Sequence, residues 1–363
     1  MRNPSKRRRA TAACLFAAFL ALPALFAPRP ARAAADDEPV PPQVEAAVDR
    51  ALAWLAKNQK SDGSWPHGGG STTAVPSLAV MAFLARGHVP GQGPYAEVTY
   101  KSIDLVLSSQ KPDTGVLSGA TNNAMMYEHG ISTAMLAEVY GMVDDERRSS
   151  IDKTLAKSVQ LVVAAQKLPD GKPKPMPHTG GWRYQPTAGD ADISVTGWQL
   201  MALRGAANCG AAIPKDVLDQ GLAYVRRCAV PDAHGGFGYQ PGGSANAART
   251  GTGILSLEML GRHHSPEALA GAEFLIANPP DNPGDEFYFY SVYYCSQALN
   301  QLGGKYWDAV YPKLREPLLK LQQADGRWPG GSGQEADAGD AYRTSMAVLA
   351  LCVPYRYLPL YQK

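Results

Sequence analysis

Two carboxylates one residue apart, Asp190 and Asp192, stand out in the stretch Gly189-Asp190-Ala191-Asp192-Ile193-Ser194. Burial and mutual repulsion can keep one member of such a pair protonated at neutral pH, so the pair is the chain's candidate catalytic acid. A second reading makes Asp190 a helix N-cap and Asp192 a first-turn acid favoured by the helix dipole. Gly339-Asp340-Ala341 has the same form and supports capping. Further groups suited to holding a ligand lie in or beside Gly-rich stretches: Glu128, His129, Trp182, Tyr184, Arg249, Glu286, Tyr290, Asp340, Tyr342 and Arg343. From Phe287 to Tyr294, six of eight residues are aromatic. Aromatic faces stabilise cations, stack on sugars or hold apolar chains. Arg249 and Arg343 each begin an otherwise uncharged apolar segment, so each needs a carboxylate partner or a ligand.

Other chemistries lack their residues. There is no Cys-x-x-Cys and no closely spaced set of histidine ligands, and His263-His264 reads as a surface pair in a turn. Gly-Lys-Ser/Thr, Gly-x-Gly-x-x-Gly and Gly-x-Ser-x-Gly signatures are missing as well. We therefore expect no metal and no cofactor. The net charge of +2 hides an asymmetry, because seven of the 35 Lys+Arg lie in residues 1–33, which hold no acidic residue. The remainder carries 28 basic against 33 acidic residues, a net of −5, which offers nucleic acid no electrostatic footing.

That N-terminal charge has a reading of its own. Lys6 and Arg7 to Arg9 precede an apolar run from Ala10 to Ala27, followed by Ala31-Arg32-Ala33. This is the order of a secretory signal, so residues 1–33 are expected to be removed on export to the periplasm or beyond. An uncleaved anchor is the alternative; Pro23 and the many alanines weigh against it. Residues 34–41 read as a linker. Cys295 and Cys352 sit in apolar helical stretches and Cys209 and Cys228 at different heights, so no structural disulfide is expected.

Positioning falls to a repeat. Gly and Pro make up 65 of 363 residues, about 18% against roughly 12% in average usage, so the elements are short and numerous. Amphipathic helices are expected at about 42–58, 95–109, 145–166, 214–228, 265–277 and 306–322. Each is followed by a Gly/Pro loop and then a nearly uncharged helix: 72–86, 129–142, 191–207, 246–261, 286–302 and 340–352. Charged faces such as Glu45, Asp49 and Lys57 put the first kind in water; all-round apolar segments such as 195–203 put the second kind inside. Six such hairpins can close into a ring, leaving 356–363 as a tail.

The loops carry a resemblance. In Trp54-Leu55-Ala56-Lys57-Asn58-Gln59-Lys60-Ser61-Asp62-Gly63-Ser64-Trp65, the Gln, Gly and Trp fall in the register of the QW repeat; Gln322-Gln323-Ala324-Asp325-Gly326-Arg327-Trp328 repeats it. Gly181-Trp182 and Gly236-Phe237-Gly238-Tyr239 look like degenerate copies. Over about 42–355 the chain resembles the prenyltransferase and squalene-cyclase repeat proteins. The resemblance implies an all-α fold, an α/α toroid of six helical hairpins.

The family's chemistries fit less well. A cyclase Asp-x-Asp-Asp acid would have its third carboxylate where Ile193 stands. The zinc site of a protein prenyltransferase β subunit would need histidine where Tyr342-Arg343-Thr344 has arginine, so neither zinc nor an α subunit is expected. The Gly-Cys-Gly-Glu-Gln run of complement-type thioester toroids is absent. Secreted toroids also act as pure binders, the cobalamin carriers among them. The first expectation is therefore an exported toroid holding an apolar or isoprenoid-like ligand in a central cavity. A degenerate cyclase-like enzyme using Asp190 and Asp192, and a glycan-processing toroid, stay open beside it.

Overall fold

The computed structural model describes residues 40–68, 72–119, 125–231, 235–330 and 333–362; the segment read as an export signal lies outside them. The described residues form twelve α-helices and no strand. The outer six are α1 (Pro42–Asn58), α3 (Ala96–Ser108), α5 (Asp145–Ala165), α7 (Lys215–Arg227), α9 (Pro266–Ala277) and α11 (Gly304–Leu321). The inner six are α2 (Ala74–Ala85), α4 (Met125–Val139), α6 (Ile193–Asn208), α8 (Ala247–Met259), α10 (Tyr288–Leu302) and α12 (Gly333–Leu351). Burial follows composition. On α7 one face is covered, through Val217, Gly221, Leu222, Tyr224 and Val225. On α2 every residue from Val75 to Ala85 is buried. Each inner helix packs on the next, α12 packs on α2, and α1 packs on α11 and α12, so the six hairpins close into a ring.

A glutamine in four of the turns stitches one hairpin to the next. The Gln59 amide donates to the Gly63 carbonyl of its own turn (3.3 Å) and to the Val98 carbonyl of α3 (2.8 Å). Gln110 joins Gly115 O (3.1 Å) to Thr154 O of α5 (3.0 Å), and Gln166 joins Gly180 O to Val217 O of α7 (both 2.9 Å). Gln322 joins Gly326 O (2.9 Å) to Ala47 O of α1 (2.7 Å), across the two ends of the chain. The turn glycine backs onto the same outer helix three residues further on. A Cβ at Gly63, Gly115, Gly180 or Gly326 would lie 2.4, 3.0, 2.3 or 2.3 Å from the carbonyl oxygens of Lys101, Lys157, Gln220 and Arg50. All four glycines have positive φ, so no other residue suits them.

Tryptophan completes the unit. The indole N–H of Trp65, Trp182 and Trp328 donates to Leu55 O (2.9 Å), Val162 O (2.7 Å) and Leu318 O (2.7 Å). Each acceptor lies three residues before the end of its outer helix, where carbonyls have no intrahelical partner. Tryptophan, not glutamine, satisfies the helix end, and glutamine reaches the neighbour.

Two boundaries differ from expectation. Helix α4 starts at Met125 rather than 129, which places Tyr127, Glu128 and His129 in its first turns. Helix α12 starts at Gly333 and is broken at Gly339 (φ 87°), giving an extra turn that carries Glu335. The tail also has structure. Beyond Arg356, Leu358 and Leu360 are buried, and the 3₁₀ turn Pro359–Tyr361 packs on α4 and α6.

Because closure rests on contacts between the chain's two ends, a chain ending at residue 305 should melt broadly and bind a hydrophobic dye. Gly326→Ala in the whole chain should cost more than about 2 kcal/mol, since the left-handed φ and the Arg50 carbonyl both oppose a Cβ. Thermal denaturation followed by circular dichroism reads both, and a sharp, unshifted melt in either variant would contradict the closed ring.

Candidate functional site

All six inner helices begin at one end of the ring, and the long loop 166–192 delivers the chemistry there. Arg183, which sequence reasoning did not single out, is its centre. Its Nη1 donates to Asp192 Oδ2 (2.9 Å) and its Nε reaches Asp190 Oδ2 at 3.2 Å. The guanidinium lies over the Tyr184 ring at 4.1 Å and the Tyr239 ring at 5.3 Å, and also donates to the Tyr239 hydroxyl. Arg249 continues the stack at 5.4 Å from the Tyr239 ring; Tyr127 extends it the other way, 6.0 Å from Tyr184. The result is a ladder that runs Tyr127, Tyr184, Arg183, Tyr239, Arg249. Each rung gains from the ring quadrupole.

The capping reading holds with the cap moved by two residues. Asp192, not Asp190, caps α6: its Oδ1 accepts the Val195 N–H at 2.9 Å while Oδ2 accepts Arg183. Burial pushes the Asp192 carboxyl up; the Val195 and Arg183 bonds oppose that. Asp190 is partly exposed and shares the same guanidinium. Below them the buried Lys174 ammonium bonds the carbonyls of Gly181 (3.1 Å) and Asp190 (3.0 Å). It thereby pins both ends of the segment that presents Arg183 and Tyr184. Burial drives its pKa down to about 8, with Asp190 and Asp192 opposing. A basic residue inside a proline-rich loop is the only trace of this staple in the sequence.

Several expected ligand groups prove to be committed within the protein. Trp182 is fully buried, with its indole N–H on the α5 carbonyl described above. The His129 ring is fully buried too; its Nδ1 accepts the Leu117 N–H (3.1 Å) and its Nε2 lies 3.2 Å from Ser158 O, so Nε2 carries the proton. Threonines do the same work in α6, α8 and α12. Thr196, Thr250 and Thr344 Oγ1 accept the N–H groups of Trp182, Phe237 and Trp328. The pairs His129-Gly130, Thr196-Gly197 and Thr250-Gly251 show this alignment in the sequence. Arg343 is buried, paired with Asp340 and donating to Glu335 O (2.6 Å). Asp340 also takes Arg327 at 3.2 Å. Glu128 is buried and accepts Ser118 Oγ (2.7 Å) and Gly119 N–H (2.9 Å). Glu335, missed in the sequence, caps α10 from α12 by accepting the Phe289 and Tyr290 N–H groups at 3.2 and 2.9 Å. Glu286 is exposed beside Gly333.

Five tyrosines at or near the starts of the inner helices are half-buried: Tyr127, Tyr184, Tyr239, Tyr290 and Tyr342. One turn deeper the axis is closed. Trp198 stacks on Tyr293 (centroids 6.0 Å) and meets Tyr294 edge-on at 5.7 Å, all three fully buried. Tyr290 touches this floor through Tyr294 at 4.6 Å. No group of three or more His, Cys, Asp or Glu suited to a metal occurs among the described residues. The His263-His264 pair instead serves the buried Glu258, with His263 Nδ1 at 3.0 Å and the His264 N–H at 2.7 Å.

The comparisons agree on the fold. No family model matches the sequence, and no curated protein does. Among solved structures, a polysaccharide lyase superposes with TM-score 0.60 at 13% identity, over 87% of this chain and 98% of its own. The type II terpene cyclase MstE from Scytonema gives 0.54 at 15%, over 88% and 100%. A possible GH105 family member from Salmonella enterica gives 0.54 at 11%, over 86% and 93%. The chain is an α/α toroid, a fold found here in both terpene-cyclising and glycan-processing proteins.

His129 provides a pH test of the scaffold under the mouth. Burial holds its imidazole at about 4, below the ordinary 6.5, so the neutral ring stabilises the fold at neutral pH. Stability should fall as pH drops below 6.5, with the full loss of about 3 kcal/mol reached near pH 4. His129→Asn keeps an acceptor near the Nδ1 position and should flatten that slope in urea titrations. An unchanged slope would mean another group dominates the acid limb.

Proposed function

We propose that this exported α/α toroid binds a polyhydroxylated, glycan-type ligand at its tyrosine mouth. The observation that carries the reading is the contrast in exposure between five half-buried tyrosines and the sealed Trp198–Tyr293–Tyr294 layer one turn below. Partly exposed aromatic groups gathered around a guanidinium suit a sugar, whose hydroxyls meet hydrogen-bonding groups while its C–H surface meets ring edges. An extended isoprenoid chain needs depth along the axis, where the aromatic floor stands. Acid catalysis by Asp190 and Asp192 is likewise disfavoured, because both oxygens of Asp192 already accept hydrogen bonds and both carboxylates share Arg183. Their work in this reading is to hold Arg183 flat between Tyr184 and Tyr239. Export rests on the order of charged, apolar and small residues in 1–33.

Calorimetric titration of the purified chain against an oligosaccharide panel tests the reading. Tyr184→Ala and Tyr239→Ala should each weaken binding by about tenfold or more, with melting temperatures little changed. Asp192→Asn, which keeps the cap but weakens the hold on Arg183, should lower affinity less. If no saccharide binds while organic extraction of the same protein releases an isoprenoid or lipid, the apolar-ligand reading replaces this one.

A further inference from the structure

The mechanism of the mouth leaves one buried acid unused, at the other end of the ring. Glu138, near the C-terminus of α4, is 4% exposed, and its Oε2 has no hydrogen-bond partner among the described residues. What covers it is the tail. The Leu360 N–H faces its carboxyl, Gln301 Nε2 of α10 donates to Tyr361 O (2.6 Å), and the Tyr361 hydroxyl pairs with that of Tyr293. Tyr361 also reaches Met201 Sδ of α6 at 3.8 Å. Residues 358–362 thus lie against α4 and α6 at the end of the ring away from the mouth.

We propose that residues 358–362 form a releasable strap whose docking is coupled to protonation of Glu138. The groups facing that carboxyl are Cys209 at the end of α6, Tyr293 of α10 and Tyr361 of the strap itself. Asp152 of α5 faces Cys209 from behind. None of these is a cation, so an ionised Glu138 under the strap has only the Leu360 N–H to compensate it. Lifting the strap admits water and restores the ordinary carboxylate. Burial sets the docked carboxyl at about 8 against 4.5 when hydrated. The docked form therefore holds the proton more tightly, and docking weakens as pH rises above the ordinary range, levelling off above about 8. Release removes the hydrogen bond beneath Tyr293, a member of the mouth's floor, so the two ends of the ring are mechanically joined.

Hydrogen exchange of the whole chain, read by mass spectrometry and corrected for intrinsic rates, tests this without any ligand. Between about pH 5 and 8, protection of the Leu360 and Tyr361 amides should fall on the order of tenfold per pH unit. The α10 amides should keep theirs. In Glu138→Gln, which stays neutral, the tail's protection should be flat with pH. Constant protection in the unmodified chain overturns the proposal even if the variant folds poorly. So does a matching decline in Glu138→Gln, or a loss shared by α10, which would be global unfolding.

Discussion

A glutamine amide that bonds one carbonyl in its own turn and one in the neighbouring hairpin is the interaction on which this ring depends. An α-helical hairpin with one apolar helix cannot bury that helix alone, so stability comes from the contact between repeats. Gln59, Gln110, Gln166 and Gln322 set the height of that contact, because each selects one carbonyl of the next outer helix. The turn glycine then rests on the same helix one turn further along, too close for any side chain. The fourth contact of this kind joins Gln322 to Ala47, so the device that stacks the hairpins also closes the ring.

The same closure creates the mouth. Six inner helices with their N-termini at one end concentrate unpaired N–H groups there, and the chain meets them with side chains from three sources. Asp192 and Asn246 cap their own helices, and Glu335 caps α10 from a neighbour. Asp192 spends its second oxygen on Arg183, which ties a helix cap to the ring–guanidinium ladder. Scaffold and site are thus the same atoms in part. The ladder stays partly exposed, whereas the layer beneath it is buried.

Much of this was legible beforehand, for a physical reason. Hydrophobic periodicity, the contrast between charged and uncharged helices and the Gln–Gly–Trp spacing are local properties, and they determined twelve helices, six hairpins and an end-to-end ring. Helix limits shifted by only a few residues except at α4 and α12. Every hairpin turn has the same polarity, so the Gly-rich stretches that carry the candidate residues gather at one end.

Which of those residues stay partly exposed at the mouth was decided by tertiary structure alone. Trp182 and Tyr184 are two positions apart in one loop, yet one fills the core and the other lines the mouth; the turn that separates them is pinned by Lys174, eight or more residues away. His129 looked like a ligand because of its type, and only its neighbours Leu117 and Ser158 show that both ring nitrogens are taken. Arg183 drew no notice because a loop arginine is ordinary until two carboxylates and two tyrosines converge on it. The sequence by itself determined which segments form helices and which helices are inner, since amphipathicity is written in each segment. Partners of polar side chains come from different hairpins, and only the closed ring brings them within hydrogen-bonding distance.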